Sequence, residues 1–563
     1  MLREHLDRRG FMGVASTAAV AVAGAGSVSA LAQDEPVQPE EGTPEAGTPE
    51  AREAGTSVTP EPLGDPVPPE FGVATNWAAE NLDLRNTRNV QGSSITSENV
   101  DQLEIAWRLP VTTSGAYGSM TAAPTIVGST LYLQDIQSNV YALDKESGES
   151  LWTNMYTADT VGPNGVGAGY GMIAFSTGYD GEIVAVDGES GAEVWRTTIL
   201  GPLGEGITMS PLIYDSTVYV STVPASHEGG YLGGQRGVFY ALDLNDGRVI
   251  WYWETTTESL WGNSRVNSGG GLWHPPSIDA DGNLYVGVAN ASPYPGTADF
   301  PAGSSRPGDN AYTNDLVRLD PATGGVDWFV KVKPHDLFDL DNHLSPVLGD
   351  VEVDGTATPV AFSSGKHGIV VAANQETGEE LWRVPVGKHM NDDLQELPAD
   401  EYVEVLPGTL GGVETPMAFA DGVLYVPVYN MSSYYSATEM DPTSIDITKT
   451  TGQLVALDGA TGNVLWDVEQ PSGLLAGATV VNDLVFTGAL DGVVRAYGTA
   501  DGTLAWSWQA GAGLNAPFAV SGDYLYVPAG GPFIASSDTE DPAPESAQEL
   551  IAFRLGGTGT PAA

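Results

Sequence analysis

Residues Leu454 to Trp466 read Leu-Val-Ala-Leu-Asp-Gly-Ala-Thr-Gly-Asn-Val-Leu-Trp, and versions of this stretch recur along the chain. The alternation of side chains from Leu454 to Asp458 predicts a half-buried β-strand. Ala460-Thr461-Gly462 supplies a turn, because glycine readily takes the positive φ that such turns require. Val464 to Trp466 would return as an antiparallel strand. One hairpin of this size cannot bury its apolar faces alone, so its repetition decides the fold.

Eight tryptophans mark the end of the repeat. Seven of them follow a glycine by four residues, and five follow an aspartate by eight residues. In two further copies Asn374 and Gly498 stand in place of the aspartate. The eight are Trp107, Trp152, Trp195, Trp251, Trp328, Trp382, Trp466 and Trp506. Their fixed position predicts a structural role between neighbouring sheets.

The two ends of the repeat region complete one another. Trp107 has no hairpin before it, and Leu550 to Phe553 resembles a first strand with no tryptophan after it. Pairing these strands would close a ring without free sheet edges. The sequence therefore predicts an all-β fold, an eight-bladed β-propeller of four-stranded antiparallel blades closed by its N- and C-terminal strands.

Composition limits the function classes. The 563 residues include 70 Gly and 38 Pro, as an all-β chain with many turns would, and carry a formal net charge of -51. That charge argues against nucleic acid or anionic lipid as a partner and is compatible with a divalent cation. The absence of cysteine excludes disulfides, iron–sulfur clusters and covalently attached c-type haem.

The N-terminal region predicts export. Residues 1–32 contain Arg8-Arg9-Gly10-Phe11-Met12, which resembles a twin-arginine signal, and a small apolar run too short to span a membrane comfortably. Residues 33–70 are acidic and rich in Pro, Glu and Thr, so they predict a disordered linker, which either tethers the protein near a cell surface or is simply an extended N-terminus. Residues 71–563 would form the propeller. We expect a periplasmic or extracellular protein with no membrane span in the mature chain.

Unequal repeat spacing indicates where function lies. The intervals between successive repeat tryptophans are 45, 43, 56, 77, 54, 84 and 40 residues, so insertions crowd between Trp195 and Trp466. Loops there should build the site. Four motifs stand out within them: Gly269 to His274, Val288 to Pro293, Gly308 to Thr313 and Pro334 to Asp339.

These motifs, in this order and between copies of the repeat, resemble the pyrroloquinoline quinone (PQQ)-dependent alcohol dehydrogenases, which are eight-bladed quinoproteins. The resemblance covers about residues 76–553. It implies that Asp339 is the catalytic base and a metal ligand. It also implies that Lys366 is the catalytic cation beside the quinone oxygens, and that Trp273 stacks on the quinone.

The resemblance implies three further contacts. Thr208 matches a cofactor-binding threonine, Asn290 matches a calcium ligand, and Glu228 is the candidate for the calcium-binding glutamate although its spacing differs from the family pattern. Calcium takes hard oxygen donors and can polarise a quinone carbonyl. PQQ and calcium are therefore the expected cofactors. For Asn290 alone, a loop-capping role is an alternative.

Several family features are missing. Thr121 stands where a cofactor-contacting Glu is expected, the neighbouring cysteines are absent, and residues 166–171 lack an Arg for a cofactor carboxylate. The Asn-Trp pair expected around residues 413–416 is also absent. Arg236 and Arg265, in the inserted region, are candidates to replace the missing cation.

Two functions therefore stay open from the sequence. The first is an exported PQQ- and calcium-dependent dehydrogenase that oxidises an alcohol or similar donor by hydride transfer to the quinone and passes electrons to a separate soluble carrier. The second is a non-catalytic propeller that serves as a binding or cell-envelope scaffold. The retained motifs favour the first, and the missing contacts favour the second.

Overall fold

The computed structural model describes residues 76–201, 203–225, 231–256, 258–353, 355–532 and 547–556. The predicted export signal at residues 1–32 and the predicted linker at residues 33–70 lie outside these ranges. The described residues form eight four-stranded antiparallel blades, which confirms the predicted propeller. Helix within them is limited to one α-helical turn, Glu258–Trp261, and to four 3-10 turns, Val100–Gln102, Gly178–Asp180, Pro442–Ser444 and Ile447–Lys449.

In every blade the outermost strand carries the repeat tryptophan, and in all blades except blade 5 the innermost strand has no more than four residues. The strands of blades 1 to 4, each blade written from its innermost strand outwards, are Thr125–Val127, Thr130–Gln134, Val140–Asp144 and Ser150–Asn154; Val166–Gly169, Met172–Ser176, Glu182–Asp187 and Glu193–Thr198; Leu212–Tyr214, Thr217–Ser221, Val238–Asp243 and Val249–Glu254; and Ser277–Ile278, Leu284–Gly287, Asp315–Leu319 and Val326–Lys331. Those of blades 5 to 8 are Val347–Val353, Thr356–Ser363, Ile369–Asn374 and Glu380–Pro385; Ala418–Ala420, Val423–Asn430, Thr451–Asp458 and Val464–Gln470; Thr479–Val481, Leu484–Gly488, Val493–Gly498 and Leu504–Gln509; and Ala519–Ser521, Tyr524–Ala529, Glu549–Leu555 and Leu103–Pro110.

Blade 8 closes the ring as predicted. Its outermost strand, Leu103–Pro110, pairs antiparallel with Glu549–Leu555, with Ile105 opposite Phe553 and Trp107 opposite Ala552. The two ends of the repeat region therefore share one sheet, and the first and last strands pair with each other where the ring closes.

The repeat tryptophans join neighbouring blades. The ring of Trp382 covers the turn of the next blade so closely that a Cβ atom on Gly462 would lie 2.7 Å from it, and Trp382 Nε1 donates a hydrogen bond to the Gly459 carbonyl (3.1 Å). The same pairing of Trp with Gly occurs seven times: Trp107 with Gly148, Trp152 with Gly191, Trp195 with Gly247, Trp251 with Gly324, Trp328 with Gly378, Trp382 with Gly462, and Trp466 with Gly502. Trp506 instead meets the ring of Phe553 edge-on at 5.8 Å, because blade 8 takes its last strand from the N-terminal side.

The repeat aspartates shape the same turns. Asp458 Oδ1 accepts hydrogen bonds from the backbone N–H (2.9 Å) and the hydroxyl (2.7 Å) of Thr461. Asn374 makes equivalent contacts with Thr377 in blade 5, so the substitution of Asp by Asn preserves the turn. These residues are scaffold, as their repetition predicted.

Strand direction separates the repeat turns from the insertions. Because neighbouring strands are antiparallel, the links that enter each innermost strand and the loops between second and third strands all lie at one end of the propeller. We call this end the upper face. The long connections at this face around blades 3 to 6 are residues 199–211, 222–237, 255–276, 288–314, 332–346, 386–417 and 431–450. The repeat turns lie at the opposite end, so insertions on the upper face do not disturb contacts between blades.

Residues 77–90 occupy the central channel, and we call them the channel segment. Trp77 pairs with Ile126 of blade 1, and Asn89–Val90 pairs in parallel with the innermost strand of blade 7. Four innermost-strand amides donate to the segment: Ile278 to the Leu84 carbonyl, Leu348 to Arg85, Phe419 to Thr87 and Val480 to Arg88. The segment thus bonds to five of the eight blades.

Two small sheets lie outside the blades. Ser268–Gly269 pairs with Ala291–Ser292, and Val403–Val405 pairs with Ser433–Tyr435. Both join connections of the upper face to each other. None of the helices in the described residues has the length and apolar character that a membrane crossing requires.

The contact between tryptophan and glycine predicts that two glycine-to-alanine substitutions in blade 6 lower the free energy of unfolding by different amounts. Gly462 and Gly422 both have positive φ (+72° and +80°), but a Cβ atom at Gly422 would meet nothing within 4 Å. Gly462→Ala and Gly422→Ala should share a backbone strain of about 1 kcal/mol, and Gly462→Ala should lose about 2 kcal/mol more because its methyl group displaces Trp382. Equilibrium unfolding in denaturant measures the difference. Equal losses would contradict the proposed contact.

Candidate active site

Two aspartates and one lysine form a buried ionic cluster on the upper face. Lys366 Nζ lies 3.1 Å from Asp339 Oδ2 and 2.6 Å from Asp341 Oδ2. Thr409 Oγ1 also donates to Asp339 Oδ2 (2.5 Å), whereas Asp339 Oδ1 is buried and accepts no hydrogen bond. One carboxylate oxygen of Asp339 is therefore left for a ligand.

Asn290 is joined to this cluster through its backbone. The N–H of Asn290 donates to Asp341 Oδ1 (2.5 Å), and the Asn290 carbonyl accepts from Gly270 (2.9 Å). The Gly270 turn leads directly to Trp273. The structure thus brings Asn290, Asp339 and Lys366 together and connects them to the turn before Trp273.

A buried arginine links three of the sequence motifs. Arg306 donates to the Asp336 carbonyl (2.5 Å), the Pro293 carbonyl (3.0 Å) and Asn310 Oδ1 (2.7 Å). Asp336 in turn accepts from the N–H of Leu340. The motif around Asn310 therefore supports the loop that holds Asp339, and this support fixes Asp339 at a φ of +63°, which is strained for a non-glycine residue.

Trp273 and Thr208 both have an unpaired polar atom. Trp273 is half-buried, and its Nε1 is buried without a hydrogen-bond partner. Thr208 is buried, and its hydroxyl is likewise unpaired. Trp273 follows a glycine turn in which a Cβ atom on Gly271 would lie 2.4 Å from the Thr222 carbonyl, so the close approach of the backbone requires glycine there.

Burial dominates the electrostatics of the cluster. It raises the pKa of Asp339 to about 7; Lys366 opposes this shift and Asp341 adds to it. Burial also raises the pKa of Asp341. For Lys366, burial acts to lower the pKa, but the attraction of the two aspartates outweighs it and holds the pKa well above its usual range. Lys366 thus stays charged and neutralises part of the aspartate pair.

Several polar groups near the cluster were not predicted from the sequence. Burial raises the pKa of Glu414 to about 8, and Glu414 Oε2 lies 3.5 Å from His343 Nε2. Asp341 could have been noticed, because it follows Asp339 by two residues in a loop that the motif already marked. Thr409 gives no sequence signal, because it lies 70 residues after Asp339, in a different insertion.

Tyrosines surround the same region. Tyr231 and Tyr294 meet edge-on at 5.8 Å, and Tyr435 donates its hydroxyl to the carbonyl of Phe338 (2.8 Å), next to Asp339. Burial raises the pKa of all three phenols, and the charge of Asp339 adds to each shift. The neighbourhood of Asp339 is therefore aromatic as well as charged.

The missing family contacts are not restored where the sequence suggested. Arg236 pairs with Glu254 (2.5 Å) and its side chain is 47% exposed, and Arg265 is exposed. The suggestion that either arginine supplies the missing cation is therefore wrong for this structure. Residues 166–169 form the innermost strand of blade 2, where a Cβ atom on Gly167 would lie 2.1 Å from the Pro211 carbonyl, so an arginine does not fit at that position.

Two other positions complete this comparison. Thr121 is buried and donates its hydroxyl to Asn164 Oδ1 (2.8 Å), where the family has a glutamate. Glu228, the candidate metal ligand, lies outside the described residues.

Comparison with known proteins decides the family. The PQQ profile, described as the β-propeller domain of glucose/ethanol/alcohol dehydrogenases, matches residues 77–172 and 200–396, more than half of the chain. The chain belongs to this family. A profile for the outer membrane protein assembly factor BamB also matches residues 366–541. That stretch begins at Lys366 and leaves out the motifs from Gly269 to Asp339.

Curated relatives agree with the assignment to the PQQ family. The chain is 26% identical over 515 residues to a lanthanide-dependent methanol dehydrogenase of Methylacidiphilum fumariolicum (strain SolV), covering 78% of this chain and 81% of that protein. It is 25% identical over 509 residues to a quinohemoprotein alcohol dehydrogenase of Comamonas testosteroni, covering 78% and 70%. The protein is thus an alcohol dehydrogenase-like oxidoreductase.

Solved structures share the fold. A europium-containing methanol dehydrogenase superposes with a TM-score of 0.71 at 22% identity, covering 86% of this chain and 98% of that one. The Comamonas testosteroni quinohemoprotein alcohol dehydrogenase gives a TM-score of 0.73 at 22% identity, covering 88% and 82%. Both confirm the eight-bladed propeller.

The described residues supply only some of the ligands that a metal ion would need. Among the described residues there is no group of three or more His, Asp or Glu side chains that could hold one. The free Asp339 Oδ1, the Asp341 carboxylate and the Asn290 side chain are hard oxygen donors of the kind that calcium and trivalent ions take. They fit such an ion if a further ligand comes from outside the described residues.

The ionic cluster predicts that Lys366 is essential for stability in the metal-free protein. Lys366→Met leaves two buried carboxylates without a cation and should lower the free energy of unfolding by about 3 kcal/mol. The double variant Lys366→Met/Asp341→Asn should recover part of this loss, because one of the carboxylates becomes neutral. Lys449→Met, at an exposed pair with Asp446, is the control and should leave stability unchanged. Denaturant unfolding without added metal measures all three; no loss in Lys366→Met would contradict the expected coupling.

Proposed function

We propose that this protein is an exported dehydrogenase that binds PQQ and a metal ion and oxidises an alcohol or similar donor. The observation that carries the proposal is the free, buried carboxylate oxygen of Asp339 beside Lys366, within a family whose members are alcohol dehydrogenases. A buried acid with a raised pKa next to a fixed cation is a functional arrangement rather than a stabilising one.

The residues present fit the quinone in several places. Trp273 offers a half-buried indole whose Nε1 is unpaired, Thr208 offers an unpaired hydroxyl, and Lys366 offers an ammonium. PQQ would supply the hydride acceptor, and the bound metal would polarise its reacting carbonyl. The absent glutamate and arginine would weaken binding by about 1.5 to 3 kcal/mol for each lost charge-assisted contact.

Asp339 would act as general base. Its Oδ1 accepts no hydrogen bond and has two lone pairs, so it would accept the hydroxyl proton of the alcohol with one while the other faces the metal ion. Oδ2 is held by Lys366 and Thr409, so the carboxylate cannot rotate away. Lys366 opposes the effect of burial on the Asp339 pKa and so favours the ionised carboxylate. The aromatic side chains around Phe338 and Tyr294 would exclude water from the reacting alcohol.

The metal ion is proposed to be a trivalent lanthanide rather than the calcium first expected. Asp341 adds a second carboxylate beside Asp339, and Lys366 neutralises only one of the two. A more anionic donor set favours a cation of higher charge. A related methanol dehydrogenase is named lanthanide-dependent, which supports this choice.

Export and electron transfer complete the proposal. Residues 1–32 would direct export, residues 33–70 would separate the propeller from the cell surface, and the protein would act in the periplasm or outside the cell. Since the chain has no cysteine to attach a c-type haem, electrons would pass to a separate soluble carrier.

The catalytic role of Asp339 predicts a loss of turnover without a loss of fold. Purified protein should take up PQQ in the presence of a lanthanide or calcium ion, seen as new near-ultraviolet absorbance, and should reduce an artificial electron acceptor with an alcohol. Asp339→Asn should lower kcat by about a thousandfold, because the general base is removed. Asp309→Asn, an exposed acid of the neighbouring motif, is the matched control and should keep its rate. Failure of the wild-type protein to take up PQQ with either ion would refute the proposed function.

The metal proposal predicts that Asp341 sets ion preference. Asp341→Asn should lower the affinity for lanthanum relative to calcium on the order of tenfold, because the site loses one negative donor. Titration of each ion into metal-free protein, followed by calorimetry, measures both affinities. An unchanged ratio would indicate that Asp341 does not contribute to the site, and Asp309→Asn again serves as control.

A further inference from the structure

The channel segment contacts blade 4 next to Trp273. Its contacts with blade 4 are made at the residues that follow Trp273: Asn86 Nδ2 donates to Ser277 Oγ (2.8 Å), and Glu80 Oε1 lies 2.7 Å from His274 Nδ1. The second contact joins the segment to the residue adjacent to the indole that is proposed to face the quinone.

Glu80 and His274 are both buried, with 4% and 6% of their surface exposed. Glu80 Oε2 has no hydrogen-bond partner, so the carboxylate is desolvated and its main polar contact is with His274. A buried carboxylate with one satisfied oxygen is costly to keep if it only fills space. This cost favours a specific role for the contact.

The backbone at Glu80 is rigidly held. The Glu80 carbonyl accepts from Trp77 Nε1 (3.1 Å) and from the Arg88 guanidinium (3.3 Å). Arg88 is fully buried, lies 4.9 Å from the centre of the Trp77 ring, and also donates to the carbonyls of Ala478 and Phe518. Glu80 therefore projects from a fixed support in the central channel.

His274 transmits this support in two directions. Along the chain it is bonded to Trp273, and its ring centre lies 5.7 Å from that of His343. His343 Nε2 lies 3.5 Å from Glu414 Oε2. Glu80, His274, His343 and Glu414 thus form a row of neighbouring polar side chains that begins at the channel segment.

We propose that Glu80 is a positioning residue of the cofactor pocket: through His274 it fixes Trp273, so that the N-terminal channel segment is part of the active site. This inference rests on the proposed function, because it assigns Trp273 to the quinone. The alternative is that the contact only secures the segment. The five blades and Arg88 already secure it, and the Glu80 contact is the one that reaches the pocket.

The test uses three substitutions of Glu80 in the full chain. Glu80→Gln keeps a hydrogen-bonding oxygen at the same reach, Glu80→Asp keeps the charge but is too short, and Glu80→Ala removes the contact. Arg85→Gln is the control, because Arg85 lies on the same segment and its guanidinium pairs with the exposed Asp350. Glu80→Asp also keeps the test informative if Glu80→Ala fails to fold.

Hydrogen–deuterium exchange in protein without quinone gives a readout independent of activity. Exchange at Gly270 to His274 should be about tenfold faster in Glu80→Ala and Glu80→Asp than in wild type, whereas Glu80→Gln and Arg85→Gln should match wild type. The dissociation constant for PQQ with lanthanum should rise about tenfold in the first two variants and remain near the wild-type value in the others.

The outcomes separate the two proposals. Wild-type exchange at Gly270 to His274 in folded Glu80→Asp would overturn the positioning role, and so would an equal effect in Arg85→Gln. Faster exchange with an unchanged PQQ affinity would also overturn it. If wild-type protein binds no PQQ, the proposed function fails, and the exchange comparison alone decides whether Glu80 positions Trp273.

Discussion

The contact between an indole of one blade and a glycine turn of the next sets the geometry of the whole molecule. It is made seven times. Each time the tryptophan Nε1 donates to the carbonyl of the second residue of the turn, as Trp152 does to Gly188 and Trp466 to Thr499. A flat ring against a residue without a side chain allows little variation in spacing. The repeat fixes the distance between blades at seven junctions, and the edge-on contact of Trp506 with Phe553 lies at the eighth, where the ring closes.

This constraint acts at the end of the propeller opposite the site. Connections of the upper face can lengthen without altering the Trp–Gly contacts, and blades 3 to 6 carry the long ones. Two of these insertions are joined through Val403–Val405 and Ser433–Tyr435, and their side chains pack on Leu337, Phe338 and Leu340 around Asp339. The apolar packing keeps Asp339 out of water, and Lys366 offsets the resulting cost. Stability of the scaffold thus permits a strained, desolvated acid where the chemistry requires one.

The parts of the structure that could be predicted from the sequence are those that repeat or that form local motifs. Closure by Trp107 and Phe553 was predictable because each strand lacked a partner within its own copy of the repeat. The meeting of Asn290, Asp339 and Lys366 was predictable only through the family resemblance. The channel segment was not predictable, because it binds through backbone carbonyls such as those of Leu84 and Thr87, which leave no side-chain pattern. Arg306 was missed for a related reason: its acceptors are mostly carbonyls distant in sequence.

The channel segment also limits how the site can be reached. Trp77 and Arg88 are fully buried at the level of the innermost strands, so the segment fills the channel below the pocket. An alcohol and an electron carrier would then both approach from the upper face. Because the inserted loops that shape the pocket lie on that same face, a change that alters substrate access would also alter the surface offered to the carrier. A substitution in these loops would therefore affect both approaches at once, while the Trp–Gly contacts below stay unaffected.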